Sequence, residues 1–320
     1  MELGPGSGLS SRETKFHLAY STPKGAAIRA VNYRADDGLL MDAFLFSPSH
    51  MINEHLTRKL GIVICHGLRD TGMGSVPSAI GQLLAKCGHT VLSINKRNSS
   101  VNWEQSIFED TSRDIKGSIE YLRSIGFSQV FLIGHSLGCT ELLYHLAHEQ
   151  ESIVRGLVML AAPSDIKGKS TISYFKRFLD PRRAYKKMLK KAETMVRNNQ
   201  GDDLLDLVID LPGNYMHVPT SAKTFLSYRS PKSNCSAKLW IGCVNVPILL
   251  VGHETDWTTK EDNEELLSLV NRNTSCDFVL LENANHYLEG HYERVAQIVD
   301  DWISKISVSS NRHRKGKAVS

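Results

Sequence analysis

Gly134-His135-Ser136-Leu137-Gly138 has the pattern Gly-x-Ser-x-Gly, and its flanks give that pattern a mechanical meaning. Gln129-Val130-Phe131-Leu132-Ile133 before it is a short apolar, β-rich run; Cys139 to Leu146 after it has a helical pattern. A strand-to-helix turn this sharp needs small residues on both sides, because side chains there would collide with neighbouring backbone. It lifts the central serine above the sheet, at the positive end of the following helix. Ser136 is therefore a candidate nucleophile. A serine hydroxyl is weak near neutral pH, so it needs a base to take its proton and a third group to orient that base.

In the chain order Ser, acid, His, the acid follows a strand late in the chain and the base follows the last strand. The acid segment is Val251-Gly252-His253-Glu254-Thr255-Asp256-Trp257-Thr258, at the carboxyl end of the strand Val246–Val251, where ligand chemistry gathers in open parallel sheets. Asp256 is the candidate and Glu254 its rival; the alternative role for Asp256 is a helix N-cap, which Thr258 or Thr259 can also fill. The base segment is Glu282 to His291, with His286 the candidate and His291 second. The oxyanion needs two donors. The backbone N–H of Leu137 is one; the backbone N–H of Leu68, in His66-Gly67-Leu68-Arg69 after the strand Leu60–Cys65, is the other. Gly67 lets the backbone approach closely. Arg69 either points into the pocket, toward an anionic group, or makes a salt bridge at the rim; His135 is a further candidate for substrate contact.

The elements that must position these residues alternate. Ile28–Tyr33 and Leu39–Phe46 form a hairpin around Asp36-Asp37-Gly38. Strands follow at Leu60–Cys65, Thr90–Ile94, Gln129–Ile133, Ile153–Ala161, Val246–Val251 and Asp277–Leu281. Helices are expected at Val76–Cys87, Asp110–Ile125, after the serine, at Lys260–Val270 and at Val295–Ile306. This alternation predicts an α/β fold: a mostly parallel sheet covered on both faces. Residues 164–238 break the rhythm and are too long for a plain loop. Tyr185, Met188, Leu189, Ala192, Met195 and Val196 fall at helical spacing, so the stretch reads as an inserted helical lid. It is basic at first (Lys167 to Arg197, opposed by Asp165, Asp180 and Glu193) and then acidic (Asp202, Asp203, Asp206, Asp210). These charges form either a solvated face or a positive rim for an anionic substrate or carrier.

At 320 residues, 41% hydrophobic and 22% charged, the chain has the composition of a globular protein with a sizeable core. A net charge of +4 is too weak to imply nucleic acid, and no apolar run approaches the ~20 residues of a membrane span. Residues 1–24 are expected to be a flexible segment without a secretory signal, and 309–320 a basic disordered tail. Six cysteines without metal spacing suit a reducing, cytoplasmic setting, and no metal or cofactor site is expected. Asn98-Ser99-Ser100 fits a glycosylation acceptor, but without a signal peptide that match carries little.

Together, His66-Gly67, the turn Gly134–Gly138, the acid segment and Asn285-His286 resemble the α/β-hydrolase superfamily, over roughly Ile28 to Ile306. The resemblance implies an eight-stranded, mostly parallel sheet (residues 25–163 and 239–308), a lid at 164–238, a triad of Ser136, Asp256 and His286, and no cofactor. Asp256 lies four residues beyond Gly252, where three is commoner in that superfamily, which keeps Glu254 open. Tyr121–Gly126, Gly134–Ser136, Ala162–Asp165 and Thr224–Tyr228 are similar to the group that contains fungal siderophore esterases. The expected function is a serine hydrolase of a small-molecule ester or lactone. The alternatives are a thioesterase or acyltransferase acting on an acidic acyl carrier, docked by the basic lid, and a non-catalytic small-molecule receptor on a hydrolase fold.

Overall fold

The computed structural model describes residues 25–49, 60–166, 175, 179–211, 214–253 and 260–316. The chain opens with the expected hairpin, β1 (Ala26–Arg34) against β2 (Leu40–Pro48), antiparallel. Gly38 closes its turn at φ 83°, a left-handed conformation that costs glycine little. Then come β3 (Leu60–Cys65), α1 (Ser75–Lys86), β4 (Thr90–Ile94), α2 (Thr111–Ser124), β5 (Gln129–His135), α3 (Leu137–His148) and β6 (Val154–Leu160). The insertion holds α4 (Pro181–Arg197), β7 (Leu204–Leu211), β8 (Asn214–Ser221) and α5 (Ala222–Arg229). The chain returns through β9 (Ile248–His253), α6 (Lys260–Leu269), β10 (Cys276–Leu281) and α7 (Tyr292–Gly316).

Eight strands form one sheet in the order β1-β2-β4-β3-β5-β6-β9-β10, with only β2 antiparallel to its neighbours. Central strands that read as near-continuous apolar runs do so because both faces are covered. Val63, Leu92, Leu132, Leu157 and Leu250 face Ile115, Ile119 and Leu122 of α2 and Leu142 and Leu143 of α3. The residues beside them, Ile62, Val91, Phe131, Val158 and Leu249, face Val76, Ile80 and Leu84 of α1 and Val299, Trp302 and Ile303 of α7. Each such side chain contributes roughly 1.5–3 kcal/mol on burial, so the two layers dominate the stability of the sheet.

The order of the strands places the site. From β3 the chain steps outward to β4 on one side; β5, β6, β9 and β10 then build the other side. The order reverses between β3 and β5, and ligand sites in open α/β sheets lie at the carboxyl ends of the strands at such a switch point. His66-Gly67-Leu68 follows β3 there, and Ser136 follows β5.

Two expectations need correction. The insertion is not purely helical: β7 and β8 pair as an antiparallel hairpin. Leu205 and Leu207 are buried while Asp206 between them is exposed, a period-two alternation, and Pro212-Gly213 is the turn signal between the strands. The last helix does not stop near Ile306 ahead of a disordered tail; it continues to Gly316. Between Ile306 and Gly316 there is no proline or glycine to break it, and basic residues suit a helix carboxyl end. Residues 1–24, for which a flexible segment was expected, lie outside the described residues. Among the described residues no helix is long and apolar enough to cross a membrane.

Helix α2 is seated on the end of β1 at a glycine: a Cβ on Gly117 would lie 2.2 Å from the Arg34 carbonyl oxygen. Gly117→Ala is expected to cost on the order of 1–3 kcal/mol, with a melting temperature lower by about 2–6 °C in a thermal scan. An unchanged melting temperature would mean that this helix–strand contact does not hold.

Candidate functional site

Ser136 stands between β5 and α3 with φ 54° and ψ −120°, a conformation that non-glycine residues rarely adopt. The neighbouring glycines make the turn possible. A Cβ on Gly134 would lie 2.6 Å from the Cys139 nitrogen, and one on Gly138 would lie 2.4 Å from the Cys65 carbonyl oxygen. The structure brings His286 to this serine across 150 residues: His286 Nε2 is 2.9 Å from Ser136 Oγ. Both side chains are nearly covered, with 4% and 7% exposure. The loop that carries His286 is ordered by Asn285, whose Oδ1 accepts from the amides of Tyr287 (3.1 Å) and Glu289 (3.2 Å). His291, the second candidate base, instead heads α7, its carbonyl accepting from the Val295 amide at 2.9 Å.

The loop after β3 lies directly against the serine: a Cβ on Gly67 would be 3.1 Å from Ser136 Cβ. Leu137 is the first residue of α3, where a backbone amide has no acceptor inside the helix. Leu68 packs into the apolar cluster of Phe108, Leu137, Ile166, Tyr228 and Cys235, and also into the insertion's own cluster around Phe175, Leu207 and Phe225. Arg69 is half-buried with φ 59°. His66 donates from Nδ1 to the Gly67 carbonyl at 2.7 Å, and its Nε2 lies 2.8 Å from Ser99 Oγ.

His135, the further candidate for substrate contact, makes a structural bond beside the serine. Its ring is buried, and Nε2 donates to the main-chain carbonyl of His286 at 2.9 Å. It holds the loop that carries His286, and its Nδ1 would lie 3.2 Å from a Cβ on Gly67, close to Ser136. Asn98 departs from its motif reading, being buried at 2% exposure and therefore not a glycan acceptor in the folded protein. Asp256 and Glu254 lie outside the described residues, as do Thr258 and Thr259. The segment that holds them leaves β9 at His253, whose ring centroid is 5.7 Å from that of His286. His253, Lys96 and Glu141 are near the site but were not singled out by the sequence; each is a lone polar residue in an apolar or loop context, with no spacing signal.

The insertion is anchored beside the site. Ser227 Oγ accepts from the Phe108 amide (2.9 Å) and donates to Glu109 (3.0 Å), and Thr224 Oγ1 donates to the Ser106 carbonyl (2.7 Å). Ser106–Glu109 belong to the connection between β4 and α2, so the insertion rests on the sheet's carboxyl edge.

A mostly parallel, doubly covered sheet with a serine elbow at its switch point defines the α/β-hydrolase fold. Solved structures agree. The esterase domain of a Rhodothermus marinus protein is 18% identical, with a TM-score of 0.56 over 86% of this chain and 97% of its own. Est1E from Butyrivibrio proteoclasticus is 17% identical, with a TM-score of 0.62 over 89% and 99%. The α/β hydrolase GrgF from Penicillium sp. sh18 is 14% identical, with a TM-score of 0.65 over 88% and 98%. No curated protein matches the sequence significantly. Residues 39–297 match the family described as "Protein of unknown function (DUF1749)", and the chain belongs to that family.

Burial holds His66 and His135 neutral. It pushes the His135 pKa down to about 4, and together with the charge of Lys96 it takes His66 well below 6.5. Between pH 6.5 and about 4 the unfolded chain binds protons at these rings while the folded chain does not, so stability falls as pH is lowered through that window. For His135 the full loss is on the order of 3 kcal/mol. Urea unfolding at pH 7 and pH 4.5 is expected to show a large stability difference that shrinks in His135→Phe. An equal difference in the variant would contradict the neutral, buried assignment of this ring.

Proposed function

We propose that this protein is a serine hydrolase that cleaves a carboxylic ester-type bond, an ester or lactone, through Ser136, His286 and Asp256. The observation that carries the reading is Ser136 Oγ held 2.9 Å from His286 Nε2, on a left-handed elbow at the switch point of the sheet. In this reading His286 carries its proton on Nδ1 and accepts the Ser136 proton on Nε2 as Oγ attacks the carbonyl carbon. The amides of Leu137 and Leu68 receive the oxyanion. The C–O bond to the leaving group breaks as His286 returns the proton to the alcohol. Water, deprotonated by His286, then attacks the acyl-serine and restores the hydroxyl. Asp256 orients the imidazole and stabilises its charge; Glu254 is the rival for that role. Both follow β9 in the chain, and the last residue of β9, His253, has its ring centroid 5.7 Å from that of His286.

Supporting the ester are the esterases among proteins of the same fold, together with the resemblance of short sequence blocks to the group that contains siderophore esterases. The apolar side chains of Phe108, Ile166 and Tyr228, which cluster with Leu68 and Leu137, suit an apolar part of the substrate next to the serine. The insertion is the lid of this site in our reading, consistent with the near-complete cover over Ser136. A second reading, a thioester on an acidic acyl carrier, is favoured by one observation: Arg182, Arg183, Lys186, Lys187, Lys190 and Lys191 are all exposed on α4. Turnover would then fall steeply with ionic strength, whereas a small neutral ester would show little dependence.

The test is intact-mass labelling with a fluorophosphonate beside turnover of short esters and lactones. One adduct is expected on the wild type and none on Ser136→Ala, with kcat reduced by about 10⁶ in Ser136→Ala and about 10⁴ in Asp256→Asn. Near-normal activity in Asp256→Asn with loss in Glu254→Gln would move the acid role to Glu254. A folded wild type that takes no label and turns over no ester would leave the non-catalytic receptor.

A further inference from the structure

Two charged side chains beneath the site take no part in the chemistry above. Lys96, two residues past β4, and Glu141, in the second turn of α3, are both fully buried and form an ion pair. Lys96 Nζ also donates to the main-chain carbonyl of His66 at 2.9 Å. The other carboxylate oxygen of Glu141 accepts from Asn98 Nδ2 at 2.6 Å, and the same amide nitrogen lies 3.0 Å from the hydroxyl of Tyr228 on α5. One cluster thus touches the loop after β3, the helix behind the serine and the insertion.

Stability alone is a weak reason for such a pair, because an ion pair taken out of water roughly balances its attraction against desolvation, and well-packed apolar residues often do as well. Its geometry supplies another reason. The His66 carbonyl is met on one side by the backbone of α3, where a Cβ on Gly138 would lie 2.7 Å from it, and on the other by the Lys96 ammonium. That carbonyl belongs to the His66–Gly67 peptide; the next peptide, which carries the Leu68 N–H, has its Gly67 carbonyl held by His66 Nδ1 at 2.7 Å. The Lys96 donation fixes the first of these two planes and the His66 ring the second, so the residue that bears both bonds is anchored by the buried cation.

We propose that Lys96 is a positioning residue: held by Glu141, it pins the His66 carbonyl and so aims the Leu68 N–H at the position of the oxyanion above Ser136. The proposal rests on the hydrolase reading, and it concerns the transition state and not the ground state. Loss of one oxyanion donor, or misplacement of a reacting group by about 1 Å, costs roughly 10²-fold in rate.

The experiment compares the wild type with Lys96→Met, the double variant Lys96→Met/Glu141→Met, and Glu141→Gln, by melting temperature and by kcat and KM on a p-nitrophenyl ester. Lys96→Met leaves a buried carboxylate alone and is expected to lower both stability and activity. The double variant removes both charges together; its melting temperature is expected to recover while kcat stays about 10²-fold down with KM within about twofold. Glu141→Gln keeps the lysine's donation to His66 and is expected to lose less than about tenfold in kcat, well short of the loss of a whole oxyanion donor. Recovery of kcat along with melting temperature in the double variant would overturn the proposal, since the pair would then serve the fold alone. So would a loss in Glu141→Gln as large as in the double variant, since the effect would then run through α3 and not through the His66 carbonyl. Failure of the wild type itself to turn over esters or label at Ser136 would remove the hydrolase reading, independently of what the Lys96 variants do.

Discussion

There is no room for a side chain at Gly138. A Cβ there would press to 2.4 Å from the Cys65 carbonyl oxygen and 2.7 Å from that of His66. The amino end of α3 therefore sits directly on the end of β3, which a glycine in the first turn of a helix permits at a cost of about 1 kcal/mol relative to alanine. Gly134 and Gly67 extend the same constraint, one against the backbone of α3 and the other against Ser136 Cβ. Because three backbone segments meet at this distance, the serine, the start of its helix and the loop after β3 form one rigid unit.

The sheet provides the frame for that unit. Helices α1 and α7 cover one face, and α2 and α3 the other, which leaves the carboxyl edge as the exposed end for loops. The insertion contacts that edge at Ser106, Phe108 and Glu109 and through Leu68, which belongs to its cluster and to the one next to the serine. Ser136 and His286 are nearly covered, and burial strengthens each polar contact between them while raising the cost of any that is left unmet.

Charge near the site is handled by exclusion and pairing. His66 and His135 are neutral because their burial disfavours the cation. Each then offers one ring N–H, and each gives it to a main-chain carbonyl, of Gly67 and of His286. The two histidines thus hold the two loops that flank Ser136. Lys96, also fully buried, has a carboxylate beside it and a carbonyl in front of it.

Much of this was legible in the chain itself. Leu60–Cys65 and Thr90–Ile94 are strands over the residues their apolar runs mark, and the glycines at 134 and 138 state the turn around Ser136, because hydrophobic period and turn chemistry are local properties. The hairpin β7–β8 was legible too, in the alternation at Leu205-Asp206-Leu207, but the acidic residues there drew the reading toward charge. The approach of His286 to Ser136 was expected only from chain order, and the distance of 2.9 Å comes from packing across 150 residues. The bond of His135 to the His286 carbonyl and the meeting of Lys96, Asn98, Glu141 and Tyr228 were not legible at all. No period or spacing encodes such meetings, because the partners belong to different elements and are brought together only when the sheet, α3 and the insertion close on one another.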